Sequence, residues 1–341
     1  MHIIRKDTHA SACADACCRS VVMAYNLLIS RNHQLNLTID QIVGIYNGTI
    51  REWNDSSIVE INPNVRLPEA AIRVIARADD AGSTEIFTST LCRYSSAWNE
   101  SYGRFSEGLD QNEEPYHWSA DVMSLYGRTN RGMSGIVLSY RNSIGYVSSA
   151  DVVVTQLQYA RILQNGEPLD IEIDDYYKAM DRSLYEFDDR FNVDLAYYVE
   201  EGEYPFIGYS YFIVDKHEED NCDLAMEMVR YIEWIGNDDF ARDEVTDFKV
   251  APVSTDVSTR VTNEILKEMT CDGDNLYAMV EEQKRAELIS TQKWRIPVYV
   301  TLPIVFMLIL CLIGYIIWQQ VKLRRAILSD EWKIDKRDVS L

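Results

Sequence analysis

Apolar and polar positions alternate along most of the chain in a way that predicts short strands followed by amphipathic helices. Residues 21–25 form an apolar run with strand character. Apolar residues at 39, 42, 43 and 46 then repeat at the i, i+3, i+4, i+7 spacing of a helix. Thr38 is placed to cap that helix and Asn47-Gly48 to stop it. Residues 71–77 read as a strand and 85–92 as a helix, while 143–147 and 209–214 read as strands and 225–235 as an amphipathic helix. The stretch 171–204, dense in Asp, Glu and Tyr, has no clear period and is expected to be solvated, irregular surface. Strands alternating with helices predict an α/β fold, and no internal repeat interrupts the pattern.

The pattern breaks once, near the C-terminus. From Ile296 to Trp318 there are 23 residues without a charge. A helix of that length reaches about 34 Å, enough to cross a hydrocarbon core of roughly 30 Å. Trp294, Tyr299, Tyr315 and Trp318 stand near its ends, where amphipathic rings favour the headgroup region. Residues 294–318 are therefore expected to span a membrane once, leaving 319–341 as a juxtamembrane tail. Lys322, Arg324 and Arg325 suit the cytoplasmic side, although Lys284, Arg285, Lys293 and Arg295 stand on the other flank.

Composition adds a side to that picture. Asn36, Asn47, Asn54 and Asn99 each begin an N-x-Ser/Thr acceptor pattern, and all precede the apolar segment. Six of the seven cysteines (13, 17, 18, 92, 222 and 271) precede it too, an even number compatible with disulfides. The N-terminal side is read as extracellular, at the plasma membrane. A net charge of −21, concentrated before the apolar segment, disfavours nucleic acid as a partner, since that requires a basic footprint. It leaves room for a small anion held locally by backbone dipoles. No apolar h-region of a signal peptide follows Met1.

Candidate chemistry concentrates in residues 72–91. A strand ends at Arg77, and Asp79, Asp80, Ala81, Gly82, Ser83 and Thr84 lead into a helix. Free N–H groups and the positive end of the helix dipole make such a terminus an anion site. Gly82 lets a ligand approach the backbone, Ser83 and Thr84 offer hydroxyls, and Arg77 can pair with phosphate bidentately. Asp79 can orient Arg77 or accept from a protonated phosphate. The plain alternative is that Asp80 or Ser83 caps the helix and Arg77–Asp79 is a surface ion pair. The histidines (2, 9, 33, 117 and 217) are scattered, and neither a metal motif, a phosphate-binding G-x-x-x-x-G-K loop nor a nucleophile elbow is present. Cys13, Cys17 and Cys18 suggest a disulfide or an unstructured remnant rather than a metal centre. The expectation is a protein that is not an enzyme and needs no cofactor or metal.

Several stretches resemble the PstS-like phosphate-binding proteins of the type II periplasmic binding protein superfamily. They are 22–27, 37–55 (L-T-I-D-Q-I-V-G-I-Y-N-G-T-I-R-E-W-N-D), 61–68, 77–84, 127–135, 143–147, 204–214 and 251–254, in the order of the family. The resemblance covers about residues 21–275. It implies a two-lobed α/β fold with residues 21–203 as lobe two, 204–292 as the return to lobe one, and 1–20 as a separate cysteine-containing segment. It also implies that the first half of lobe one is missing, so that a closed cleft is not expected to form. Arg77, Asp79, Gly82 and Ser83 fall on the family's anion loop, whereas Ala81 stands where a serine is usual. The implied partner is phosphate or a similar oxyanion, for sensing or capture. Cys222 and Cys271, both in the return segment, are the implied disulfide. The tail from Leu328 to Val339 resembles the start of the kinase-homology region of receptor guanylyl cyclases, which opens a second reading. On it, the chain is part of a single-pass receptor whose outer domain serves protein contacts or a homodimer, with a decayed anion site.

Overall fold

The computed structural model describes residues 11–29, 33–112, 114–218 and 221–335. The side chains of Cys13 and Trp294 and the tail motif that ends at Val339 lie outside the described residues. The fold begins with a 16-residue strand, β1 (Ser11–Asn26), which starts ten residues before the apolar run that announced it. Of the N-terminal segment read as separate, residues 11–20 are part of this strand, and residues 1–10 lie outside the described residues. The first half of β1 mixes small residues and cysteines with Asp15 and Arg19, a pattern that carries little hydrophobic signal.

Next come β2 (Asn36–Leu37), α1 (Ile39–Asn47), α2 (Ser56–Ile61), β3 (Arg73–Arg77), α3 (Gly82–Tyr94) and α4 (Ser96–Ser101). Then follow β4 (Met123–Gly127), α5 (Thr129–Ser139), β5 (Ser143–Ser148), α6 (Ser149–Thr155), β6 (Gln158–Gln164), β7 (Glu167–Leu169) and α7 (Ile173–Ser183). The chain returns through β8 (Ile207–Asp215), β9 (His217–Glu218), α8 (Cys222–Asn237), α9 (Asp239–Thr246), β10 (Val250–Pro252) and α10 (Thr255–Glu264). It ends in β11 (Thr270–Cys271), β12 (Asp274–Asn275) and α11 (Leu276–Asp335).

Capping explains where α1 starts and stops. Thr38 accepts from the Gln41 N–H while the Gln41 side chain accepts from the Thr38 N–H, a capping box. Gly48 ends the helix at φ 80°, a conformation open to glycine without strain.

The sheet order is β2-β6-β1-β5-β3-β4, with β8 and β10 also on β1 and β7 on β6. β3 runs parallel to both β4 and β5. β1 is the strand common to both lobes. Its second half, Val21–Asn26, pairs antiparallel with β5, and its first half, Ser11–Ser20, pairs antiparallel with β8. At the changeover the Val21 N–H donates to the Phe206 carbonyl at 2.9 Å. This is the α/β, two-lobed architecture that the sequence implied. The lobe-one part of the described chain is built on the start of β1 with β8, β10 and α8–α10.

The core between β3, β5 and α3 is aromatic. Tyr46, Phe87, Tyr146 and Phe206 are fully buried, with Phe87 stacked on Tyr146 at 4.7 Å and Tyr46 tilted against Phe87 at 4.7 Å. Each such burial stabilises by roughly 1.5–3 kcal/mol. Burial raises the phenol of Tyr146 well above its ordinary pKa, so it stays a neutral hydroxyl.

One expectation fails in physical terms. Residues 171–204 are not irregular throughout, because α7 lies there and packs Tyr176, Ala179, Met180 and Ser183 inward at helical spacing. Its inward face is built of tyrosine, small residues and one methionine, so apolar periodicity was hidden by acidic neighbours. A short 3₁₀ turn at Leu195–Tyr198 follows, tied down by Arg93, which donates to the Ala196 and Val199 carbonyls.

The chain divides into two compact units, residues 1–278 and 279–341. The anticipated boundary at 292–294 lies inside α11, which runs without interruption through it. The helical segment Leu276–Leu328 is long and apolar enough to cross a bilayer, by length and composition. Tyr315 and Trp318 lie side by side at 6.1 Å, and Lys322 sits over the Trp318 ring. Cys222 and Cys271 form the disulfide that the resemblance implied. Cys17 and Cys92 are free thiols, and Cys18 and Cys92 are buried.

Candidate anion-binding cleft

Parallel strands β3, β4 and β5 each deliver the chain, at their C-terminal ends, into the start of a helix: α3, α5 and α6. Beside that edge lies an open cleft of about 590 Å³. One side is formed by Arg77, Asp79–Ser83, Thr129–Arg131, Ser148 and Asp151. Arg19, Val21, Tyr209 and Ser210, from β1 and β8, form the other. A cleft thus exists between residues of both lobes, although the sequence led to the expectation that a closed one could not form.

Arg77 is buried at its floor, and its backbone N–H donates to the Tyr146 hydroxyl at 3.0 Å. The same hydroxyl shares a hydrogen bond with Thr84 Oγ1 at 2.8 Å. Tyr146 therefore fixes the end of β3 against the start of α3. Thr84 is fully buried in doing so, and its hydroxyl does not line the cleft. That corrects its expected role as an anion donor; it is a framework residue.

The guanidinium of Arg77 is also committed differently from expectation. Nε and Nη2 donate to the two oxygens of Asp79, at 2.8 and 2.7 Å. Nη1 donates to Ser83 Oγ at 3.2 Å and to Asn130 Oδ1 at 2.5 Å. Four of the five donors of the fork are engaged, and the bidentate face is filled by Asp79 rather than open to a ligand. Burial alone would lift the Asp79 carboxyl. The Arg77 hydrogen bonds and charge, with the Thr129 N–H, outweigh it and hold the pKa below the usual carboxylate range. Thr129 donates that N–H to both oxygens at 3.1 and 3.2 Å, from a backbone φ of 60° that a β-branched residue adopts only under constraint.

The start of α3 is unfilled. Ala81 is its N-cap and offers no side-chain hydrogen bond, and among the described residues the Gly82 and Ser83 N–H groups have no capping partner. The loop 105–109 supports this turn from behind: the Ala81 N–H donates to the Ser106 carbonyl, and the Leu109 N–H to Ala78. Gly108 lies so close to Ala78 that an added Cβ would stand 2.4 Å from its carbonyl oxygen, which excludes any other residue there. Asp80, considered as a cap, instead accepts from the Gly108 N–H at 3.3 Å. Taken together, Arg77, Asp79, Ala81, Gly82 and Ser83 come together as read from the sequence. Arg19, Asn130, Arg131, Ser148, Asp151 and Ser210 were not anticipated. Asn130, Arg131 and Ser210 lie in stretches that resemble the family, but no site role was read for them, and the strand–helix topology and the β1 crossing bring all six to one place. Burial lifts the carboxyl of Asp151 above its usual range, against the pull of the Arg19, Arg131 and Arg77 charges.

Residues 11–238 match the family described as a PBP superfamily domain. The chain belongs to the PBP superfamily. Within the superfamily it is PstS-like. It is 27% identical over 202 residues to the phosphate-binding protein PstS of Xylella fastidiosa, covering 59% of this chain and 52% of that protein. The chain thus spans about half the length of that relative. Over 252 residues it is 25% identical to PstS of Haemophilus influenzae, covering 73% and 71% of the two chains. Among solved structures, a phosphate-binding protein from Stenotrophomonas maltophilia superposes with a TM-score of 0.56 at 17% identity, over 77% of this chain and 75% of that one. A DING protein gives 0.56 at 15% identity, over 78% and 77%. These two likenesses establish the fold. The acceptor asparagines differ in setting. Asn54 and Asn99 are exposed, whereas the amides of Asn36 and Asn47 accept hydrogen bonds from Arg161 and Thr49. Among the described residues the one grouping of metal-ligand types is Cys222, Cys271 and Asp272, and both its thiols are in the disulfide.

Proposed function

We propose that the chain is a solute-binding domain that holds phosphate or a similar oxyanion, tethered to the plasma membrane by α11 with the domain outside. The observation that carries the reading is the uncapped start of α3 facing a cleft beside a buried arginine. An oxyanion there would cap the helix, accepting from the Gly82 and Ser83 N–H groups, from the Ser83 hydroxyl and from the remaining Nη2 N–H of Arg77. Asp79 keeps the guanidinium in place. The chemistry is binding rather than catalysis, in keeping with relatives that are named as binding proteins. A disulfide in the domain and a span-length apolar helix after it support an oxidising, extracellular location. The exposed Asn54 and Asn99 are the acceptors best placed for glycosylation.

A second reading has its own support. Arg77 has most of its donors engaged internally and Ala81 lacks a hydroxyl, as in a site that has lost its ligand while the fold serves protein contacts or dimerisation in a receptor. Calorimetry on the full chain in detergent separates the two. Heat with phosphate, sulfate or arsenate that disappears in Arg77→Ala supports oxyanion binding. Self-association with no oxyanion heat supports the second reading and ends the first.

A further inference from the structure

The part of the cleft away from the α3 terminus is built of groups that no neighbour uses. Among the described residues, neither Arg19 nor Arg131 forms a hydrogen bond or ion pair through its side chain, yet both line the cleft. Their charges act on Asp151, in the first turn of α6, from beyond ion-pair distance. Ser148 and Ser210 line the same space. They are only 3% and 6% exposed, and their hydroxyls form no hydrogen bond among the described residues. The two residues are buried overall but border the open cleft, so their hydroxyls remain available to a ligand there. Among the described residues neither guanidinium has a carboxylate at ion-pair distance, so both are available to an acidic group of a ligand. The volume points the same way. About 590 Å³ lies within the range of roughly 300–1,000 Å³ found for sites of organic ligands, and an inorganic oxyanion at Gly82–Ser83 fills only a corner of it.

We infer that the ligand is an organic phosphate bearing a second acidic group. Its phosphate sits at Gly82–Ser83, its acidic group meets Arg19 and Arg131, and its hydroxyls meet Ser148, Ser210 and Asp151. The inference rests on the oxyanion reading above and adds to it the part of the molecule beyond the phosphate.

The test is calorimetric titration of the full chain in detergent with orthophosphate, glycerol 3-phosphate and 3-phosphoglycerate. An added charge-assisted contact strengthens binding by roughly tenfold to a hundredfold, so 3-phosphoglycerate is expected to bind at least about tenfold tighter than orthophosphate. Glycerol 3-phosphate should fall between them. Arg131→Gln should remove roughly a tenfold advantage from 3-phosphoglycerate and leave orthophosphate within about threefold of its original affinity. Arg19→Gln should do the same. Arg19 lies in a core strand, whereas Arg131 is exposed on α5, so the Arg131 variant decides the matter if Arg19→Gln does not fold. Orthophosphate binding as tightly as 3-phosphoglycerate, or an equal loss for both ligands in Arg131→Gln, overturns this inference and leaves the oxyanion reading standing. Binding of none of the three ligands overturns both.

Discussion

Two arginines in this protein each grip a carboxylate with two donors, Arg77 through Nε and Nη2 and Arg182 through Nη1 and Nη2, in regions with opposite purposes. Arg182 donates through Nη1 and Nη2 to Glu203 at 2.8 and 2.5 Å and through Nη1 to the Tyr198 carbonyl at 2.7 Å. Glu203 completes the cluster by accepting from the Glu200 N–H at 2.8 Å. Both carboxylate oxygens of Glu203 and both terminal nitrogens of Arg182 are engaged, and the result is a clasp between α7 and the loop that leads back into β8. Arg77 and Asp79 make an equally good pair, but next to it stand an alanine cap, two N–H groups without partners and an open cleft. The pair itself is therefore not what distinguishes a site from a strut. The difference lies in the polar groups left unanswered beside it, since each has a reason to take a ligand.

The variants that break this comparison differ in size of effect. Arg77→Ala should be the largest. It removes a buried charge partner and leaves Asp79 unpaired, lowering stability by about 3 kcal/mol in a denaturant titration. It should also weaken phosphate binding by roughly a hundredfold in the calorimeter. Arg182→Ala should lower stability by about 2 kcal/mol, since that pair is partly exposed, and leave phosphate affinity unchanged. A loss of affinity with Arg182→Ala equal to that with Arg77→Ala would erase the distinction between clasp and site.

Ala81→Ser sharpens the comparison in the other direction. A hydroxyl at the N-cap of α3 should add about 1 kcal/mol of stability. It should also raise phosphate affinity by roughly threefold to tenfold when it reaches the anion. The smallest effect concerns acid. The pKa values of Asp79 and Glu203 both lie below the usual range: burial raises each, but the hydrogen bonds and charge of the partner arginine outweigh it. Carboxyls with depressed folded pKa values stabilise the fold fully above about pH 4 and lose that contribution as pH falls through the folded values. Stability measured from pH 5 downward should fall for the wild-type chain. The slope should become shallower in Asp79→Asn and, independently, in Glu203→Gln. An unchanged slope in both variants would mean that the pairs do not hold these carboxyls ionised.

What could be read from the sequence follows the same division. The β3–α3 turn was legible because the stretches around it resemble the family, its local pattern alone fitting a helix cap and an ion pair as well, and α1 because its capping box and stop glycine are local. Tyr146 and Thr84 were not, since the hydrogen bond joining them spans 62 positions and the sequence shows only two ordinary residues. Arg19 lies among cysteines in a stretch that carried no strand signal, and Ser148, Asp151 and Ser210 meet it only because β1 serves both lobes. Helix α7 was missed because its buried face uses tyrosine and alanine instead of leucine or isoleucine. The local parts of the site were visible, and the parts assembled by topology were not.

The central claim is that an oxyanion caps α3 in the cleft. Crystals of the full chain grown with arsenate would locate it directly by anomalous scattering. The account predicts an arsenic peak at the start of α3 beside Arg77, placed so that the arsenate oxygens accept from the Gly82 and Ser83 N–H groups. An empty cleft at millimolar arsenate, or arsenic bound only elsewhere, would contradict it.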